Sequence, residues 1–127
     1  MILLDTHTLL WFLSDDPMLP EDTKELIGTS ENVYVSIATF WEMAIKNSIG
    51  KLMLADPISR IAEICEENRI MILPIKALHL DILQKLPHIH KDPFDRLLIC
   101  QAKAEGMALV TVDENIAKYD VKTLWQT

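Results

Sequence analysis

Four acidic residues of this 127-residue chain have the side-chain type and the positions in sequence that a metal-binding site requires. Asp5 and Asp113 each follow a short apolar run of the kind that forms a strand buried on both faces. Glu42 and Asp95 each lie in the early part of a predicted helix that opens at or near a strand end. Ligands of open parallel sheets bind beyond the carboxyl ends of the strands. The pattern therefore predicts that the four acids converge at one edge of a sheet.

Converging carboxylates repel one another, and this repulsion favours the binding of a cation between them. One pair about 4 Å apart costs about 4 kcal/mol at an effective dielectric constant near 20. Such a group must raise a pKa or bind a cation. Hard oxygen ligands without cysteine or clustered histidine select Mg²⁺ or Mn²⁺ over zinc. One or two such ions activate a water and stabilise the leaving oxygen of a phosphodiester. Metal-assisted phosphodiester hydrolysis is the predicted reaction.

Each acid taken singly also has a structural interpretation. Asp5 and Asp113 can cap the helices that follow their strands. Glu42 can pair with Lys46 four residues later, and Asp95 can serve only as a partner of the helix dipole. These alternatives stay open for any one residue, and it is the set of four that favours a metal site.

Neighbouring polar residues are candidates for supporting roles. Thr6 beside Asp5, and Thr111 two residues before Asp113, can hold a water or a carboxylate. Arg96 and Lys46 are candidate phosphate contacts. His7 is interpreted as a polar neighbour of Asp5, and His88 and His90 are interpreted as loop residues.

The segment Lys91–Asp113 organises the predicted site because it carries explicit helix signals. Asp92 is a natural N-cap and Pro93 suits the first helical position. Behind its capping role, Asp92 is also a candidate for the outer shell of the metal site. Asp95 then falls in the first turn, where a carboxylate meets free backbone N–H groups. Gly106 is placed to end the helix in the left-handed conformation.

The helix predicted over Ser36–Gly50 has apolar residues at the three-and-four spacing that places them on one face. These residues are Ile37, Phe40, Trp41, Ala44, Ile45 and Ile49. Three aromatic residues are interpreted as core or dimer contacts: Trp11, Phe40 and Trp41.

Strands alternate with helices along the whole chain. This alternation predicts a single α/β domain over residues 1–127, a three-layer α/β/α sandwich on a mostly parallel sheet of four to five strands. The predicted strands are Ile2–Leu4, Val33–Val35, Ile70–Leu73, Ala108–Thr111 and Val121–Trp125. The remaining predicted helices are Leu9–Leu13, Glu21–Thr29, Ile58–Asn68, Lys76–Lys85 and Glu114–Lys118.

The composition narrows the class of protein. A net charge of −7 argues against a protein that holds nucleic acid on a broad basic face, but it is compatible with a metal-dependent nuclease. Cys65 and Cys100 are too far apart for a CxxC metal site and are expected to be reduced. The chain shows no secretory signal and no apolar run of about 18–20 residues, so we expect a soluble, cytoplasmic protein without a membrane segment.

Four motifs in order along the chain make the sequence resemble a PIN domain, specifically a VapC-type toxin ribonuclease. They are LLDTH, SIATFWEMAIKNSIGKL, HKDPFDRLLICQA and LVTVD, which contain Asp5, Glu42, Asp95 and Asp113. The resemblance implies that these acids form the metal site, with Thr111 supporting it.

The same resemblance implies a Mg²⁺- or Mn²⁺-dependent endoribonuclease with an RNA substrate. It further implies a homodimer, held inactive by a small antitoxin whose C-terminal segment enters the acidic groove. The alternative is a PIN-like binding module that binds RNA or a protein partner with negligible turnover.

Overall fold

The computed structural model describes residues 1–125 and contains one five-stranded sheet. All strand pairs are parallel, in the order β3-β2-β1-β4-β5. The strands are β1 (Ile2–Leu4), β2 (Val33–Ser36), β3 (Ile70–Leu73), β4 (Ala108–Val110) and β5 (Thr123–Leu124). The register pairs Leu4 with Val35 on one side and with Val110 on the other. The predicted α/β class with a parallel sheet is confirmed.

Helices follow or connect the strands, and their apolar faces cover both sides of the sheet. They are α1 (Thr6–Leu13), α2 (Glu21–Thr29), α3 (Ile37–Ser48), α4 (Ile58–Glu67), α5 (Ala77–Lys85), α6 (Pro93–Glu105) and α7 (Glu114–Ala117). Alternate residues of the central strand enter different core clusters, with Leu4 on one face and Leu3 on the other. The result is the predicted three-layer arrangement.

Helix boundaries follow local capping chemistry. Gly106 ends α6 in the left-handed conformation, with φ of 67°, as its position predicted. The first helix begins at Thr6 and not at Leu9, because the Asp5 side chain caps it directly after β1. The last strand is shorter than predicted and spans only Thr123–Leu124.

The apolar residues predicted to share one face of α3 are divided between the core and the surface. Phe40, interpreted as a core or dimer contact, is a core residue, and Met43 is buried in the same core cluster. Four large apolar residues of α3 and its C-cap lie 39–60% exposed, a set called here the α3 stripe: Ile37, Trp41, Ile45 and Ile49. Ala44 is exposed as well. The buried side of α3 instead includes two polar residues, Thr39 and Glu42, beside Phe40 and Met43.

Within residues 1–125, every helix is too short or too polar to cross a lipid bilayer.

Candidate acidic metal site

Two aspartates cap the helices that leave neighbouring strands. Asp5 follows β1, and its Oδ1 accepts the backbone N–H of Thr8 at 2.9 Å. Asp113 precedes α7, and its Oδ1 accepts the backbone N–H of Asn115 at 2.8 Å. Strands β1 and β4 are hydrogen-bonded neighbours, and the Asp5 N–H reaches the Val110 carbonyl at 3.2 Å. Both carboxylates therefore sit at the carboxyl edge of the sheet with one oxygen each committed to a cap.

The start of α6 brings a third carboxylate to this edge. Asp92 caps the helix as predicted, since its Oδ1 accepts the N–H groups of Phe94 at 2.8 Å and Asp95 at 3.0 Å. Asp95 lies in the first turn, and its Oδ2 is 2.9 Å from Nε2 of His90. The cap thus fixes the helix end that carries Asp95.

Asp95 and Asp113 converge on a histidine from the preceding loop. One potential ligand atom from each of His90, Asp95 and Asp113 lies within 4.8 Å of the others. The second carboxylate contact of His90 joins its Nε2 to Oδ2 of Asp113 at 3.7 Å. In the part of the chain that the structure describes, Asp5 and Glu42 stand outside this compact group. Asp5 nevertheless bonds to the end of β4, and Glu42 accepts the hydroxyl of the next residue, Thr6.

Glu42 is buried on α3 with both carboxylate oxygens engaged. Its Oε1 accepts the Thr6 hydroxyl at 2.6 Å, and its Oε2 lies 2.6 Å from Nζ of Lys46. The hydrogen bond to Glu42 is the largest cause that raises the pKa of Lys46, and the charges of Asp92 and Asp95 add to it. The predicted pair between Glu42 and Lys46 is present, and it places a cation beside the acids.

Thr111 supports the end of β4. Its side chain is buried, and its hydroxyl oxygen accepts the backbone N–H of Asp113 at 3.0 Å. This bond orients the turn in which Asp113 leaves the strand. The contact acts on the backbone of the acid and not on its carboxylate.

Arg96 does not reach the acidic group. Its guanidinium is buried and donates to the carbonyls of Pro87 at 2.7 Å and Leu86 at 3.3 Å, and to the Tyr119 hydroxyl at 3.1 Å. A phosphate contact by Arg96 would require these bonds to be given up. The structure favours a role for Arg96 in holding the loop before α6.

Burial raises the pKa of Asp95. Desolvation raises its pKa from 3.8 to about 6, and the negative charges of Asp92 and Glu42 add to the increase. The hydrogen bond from His90 opposes the increase without cancelling it. At neutral pH, neighbouring groups only partly balance the negative charge of this buried carboxylate. A bound cation would therefore stabilise the site.

The raised pKa of Asp95 predicts a pH-dependent stability of the metal-free protein. Between about pH 4 and pH 6 the folded chain binds more protons than the unfolded chain, so stability falls as pH rises through this window. Asp95→Asn should remove about 2 kcal/mol of that fall. Urea unfolding in EDTA at pH 4 and pH 7 measures this change in the free energy of unfolding. Substitution of an exposed aspartate, Asp22→Asn, is the control. Equal pH slopes in Asp95→Asn and the native chain would show that Asp95 is not perturbed.

The donor set fits a hard divalent cation. Carboxylate oxygens dominate the edge, and both cysteines are buried in the core away from it. Oxygen-rich sites of this kind suit Mg²⁺ or Mn²⁺. Asp95 and Asp113 are the two acids that the structure brings together at this edge, with His90 beside them.

His90 is the site residue that sequence reasoning missed. It was interpreted as a loop residue, yet its ring lies between two of the four acids. The available signal was its position five residues before Asp95, on the segment that leads into the N-cap. Its placement depends on how the loop folds, which the local pattern does not reveal.

Comparison with known proteins gives a family model and several solved structures. The PIN domain model matches residues 2–122. The structure of VapBC2 from Rickettsia felis, bound to a DNA fragment from its promoter, aligns with a TM-score of 0.72 at 18% identity, covering 99% of this chain and 100% of that one.

Two further solved structures share the fold at low identity. FitAcB from Neisseria gonorrhoeae aligns with a TM-score of 0.65 at 21% identity, covering 98% of this chain and 96% of that one. VapBC-1 from nontypeable Haemophilus influenzae aligns with a TM-score of 0.65 at 19% identity, covering 98% and 97%. No curated protein matches the sequence. Because the family model spans nearly the whole chain, this protein belongs to the PIN domain family.

Proposed function

We propose that this chain is a metal-dependent endoribonuclease and the toxin of a toxin–antitoxin pair. The observation that carries the proposal is the convergence of Asp95 and Asp113 at the sheet edge where Asp5 and Glu42 also lie. These four acids are the proposed catalytic and metal-binding residues. The proposed supporting residues are Thr6, Thr111 and Asp92.

The proposed reaction is hydrolysis of an RNA phosphodiester. Bound Mg²⁺ or Mn²⁺ supplies Lewis acidity for activating a water and for stabilising the leaving oxygen. The protein contributes a fixed arrangement of acceptors, because the helix caps hold one oxygen of Asp5 and of Asp113 in place. Attack by water leaves 5′-phosphate and 3′-hydroxyl ends.

A cleft beside the acids suits a phosphate backbone. Its lining includes two lysines, Lys46 and Lys51, together with Thr6 and His7. Local cations matter in a chain of net charge −7, since the overall field repels RNA. Lys46 is therefore retained as a proposed phosphate contact.

The antitoxin is the proposed occupant of an adjoining apolar groove of about 550 Å³. Leu10, Trp11 and Ile61 line it, and it shares His7 with the cleft beside the acids. A partner with an apolar helix followed by a basic segment could cover both at once. The solved structures of VapBC complexes, one of them bound to promoter DNA, motivate this assignment.

The α3 stripe is the proposed homodimer contact. It exposes four large apolar side chains on one helix, and contiguous apolar surface of this kind marks protein–protein contacts. Trp41, at its centre, packs edge-on against Phe94 with ring centroids 5.1 Å apart. The stripe therefore presents an exposed aromatic anchor that one ring contact supports from its own chain.

The proposed function is tested by cleavage of a mixed pool of cellular RNA. The purified chain, stripped of any bound partner by denaturation and refolding, is incubated with Mn²⁺, Mg²⁺ or EDTA. We expect discrete cuts with 5′-phosphate ends in either metal and none in EDTA. A folded, partner-free chain that binds Mn²⁺ and RNA without cutting would instead indicate a PIN-like binding module.

A further inference from the structure

The hydrogen bonds of His90 determine which ring nitrogen carries its proton. Nδ1 accepts the backbone N–H of Lys91 at 3.0 Å. A neutral imidazole has one N–H, so that hydrogen is on Nε2. Nε2 is 2.9 Å from Oδ2 of Asp95 and 3.7 Å from Oδ2 of Asp113. His90 therefore presents a donor, and not a free lone pair, to the acidic site.

Coordination of a cation by Nε2 would require a different arrangement. The proton would move to Nδ1, where it would face the Lys91 N–H across 3.0 Å. Two hydrogens cannot share that contact, so the ring or the backbone would have to turn. The observed geometry favours His90 as a hydrogen-bond partner of a ligand over His90 as a ligand.

The loop that carries His90 is anchored from α6 and from the segment after α7. The Tyr119 hydroxyl oxygen accepts the N–H groups of Ile89 at 3.1 Å and His90 at 2.8 Å. Arg96 donates to the same hydroxyl at 3.1 Å and to the Pro87 carbonyl at 2.7 Å. Both anchoring side chains are buried. The position of the imidazole is thus built into the fold.

We propose that His90 is a positioning residue for the metal site, which it serves by holding the Asp95 carboxylate through Nε2–H. The inference rests on the proposed function, because it assumes that Asp95 binds the cation. Hydrogen-bond partners of metal-binding side chains typically change metal affinity by about 10–100-fold when removed. Arg96 and Tyr119 act one step further out, by fixing the loop.

Mn²⁺ binding, followed by electron paramagnetic resonance of the free ion, tests the inference without any cleavage assay. His90→Ala should bind Mn²⁺ about 10–100-fold more weakly than the native chain. His90→Gln should recover most of the loss, because its amide N–H reaches the same carboxylate. The matched control is His88→Ala, which removes an exposed histidine of the same loop and should not change affinity.

Three outcomes would overturn the inference. Equal or tighter Mn²⁺ binding by His90→Ala would show that the ring does not hold Asp95 for the metal. A ¹⁴N imidazole coupling to bound Mn²⁺ that disappears in His90→Ala would make His90 a ligand. A native chain that is folded by circular dichroism but binds no Mn²⁺ would overturn the metal site and the proposed function together. The first two outcomes leave native Mn²⁺ binding intact and affect only the role of His90.

Discussion

Asp113→Asn is expected to reduce metal-dependent RNA cleavage by about 10²–10³-fold and to leave the protein folded. The substitution removes the charge of the carboxylate and keeps its shape. The asparagine side-chain oxygen can still accept the Asn115 N–H, so the cap of α7 survives. Loss of repulsion with Asp95, whose Oδ2 lies against the same histidine, should leave stability unchanged or raise it.

Single-turnover cleavage at saturating Mn²⁺, with urea unfolding of the same preparations, measures both effects. Asp120→Asn is the matched control, since Asp120 is an exposed aspartate a few residues further along the chain. Native-like cleavage by Asp113→Asn would remove Asp113 from the catalytic set. Unfolding of Asp113→Asn would show that the carboxylate is needed mainly as a structural cap.

The capping and metal-binding interpretations of the aspartates prove to be geometrically compatible. Asp5 and Asp113 each commit Oδ1 to a helix N-terminus, and Oδ2 of Asp113 faces the acidic group. Asp92 is a cap in the structure, with Oδ1 bound to two N–H groups of α6. A sequence pattern cannot choose between the two roles, because a carboxylate has two oxygens and one residue can serve both.

Local signals predicted the elements that carry the site. The parallel strands were recognisable as short apolar runs, and Gly106 marked the end of α6 because a left-handed residue was needed there. Since parallel strands end at a common edge, the approximate placement of Asp5 and Asp113 followed from the strand assignments alone.

Features that depend on distant contacts were not predictable in this way. His90 reaches the acids because Tyr119, 29 residues away in sequence, binds its backbone N–H. The orientation of α3 depends on which of two adjacent faces packs against the sheet. Helical periodicity detected the apolar residues but could not show that Phe40 and Met43 lie inside while Trp41 lies outside.

Trp41→Ala is expected to weaken self-association of the chain by about 30–1,000-fold, corresponding to about 2–4 kcal/mol for a central aromatic anchor. Trp41 is 57% exposed, so its truncation removes little from the core of the folded chain. The loss inside one chain is limited to its edge-on contact with Phe94, worth about 0.5–1.5 kcal/mol. The effect on association should therefore exceed the effect on folding.

Sedimentation equilibrium over a range of protein concentrations measures the dimer dissociation constant directly. Met18→Ala is the matched control, because Met18 is 64% exposed and lies in the connection between α1 and α2, outside the α3 stripe. A native chain that stays monomeric, or a Trp41→Ala dimer of native affinity, would assign the stripe a different occupant. If only Trp41→Ala dissociates, the exposed apolar face of α3 is explained by a second copy of the chain, which covers it where the core does not.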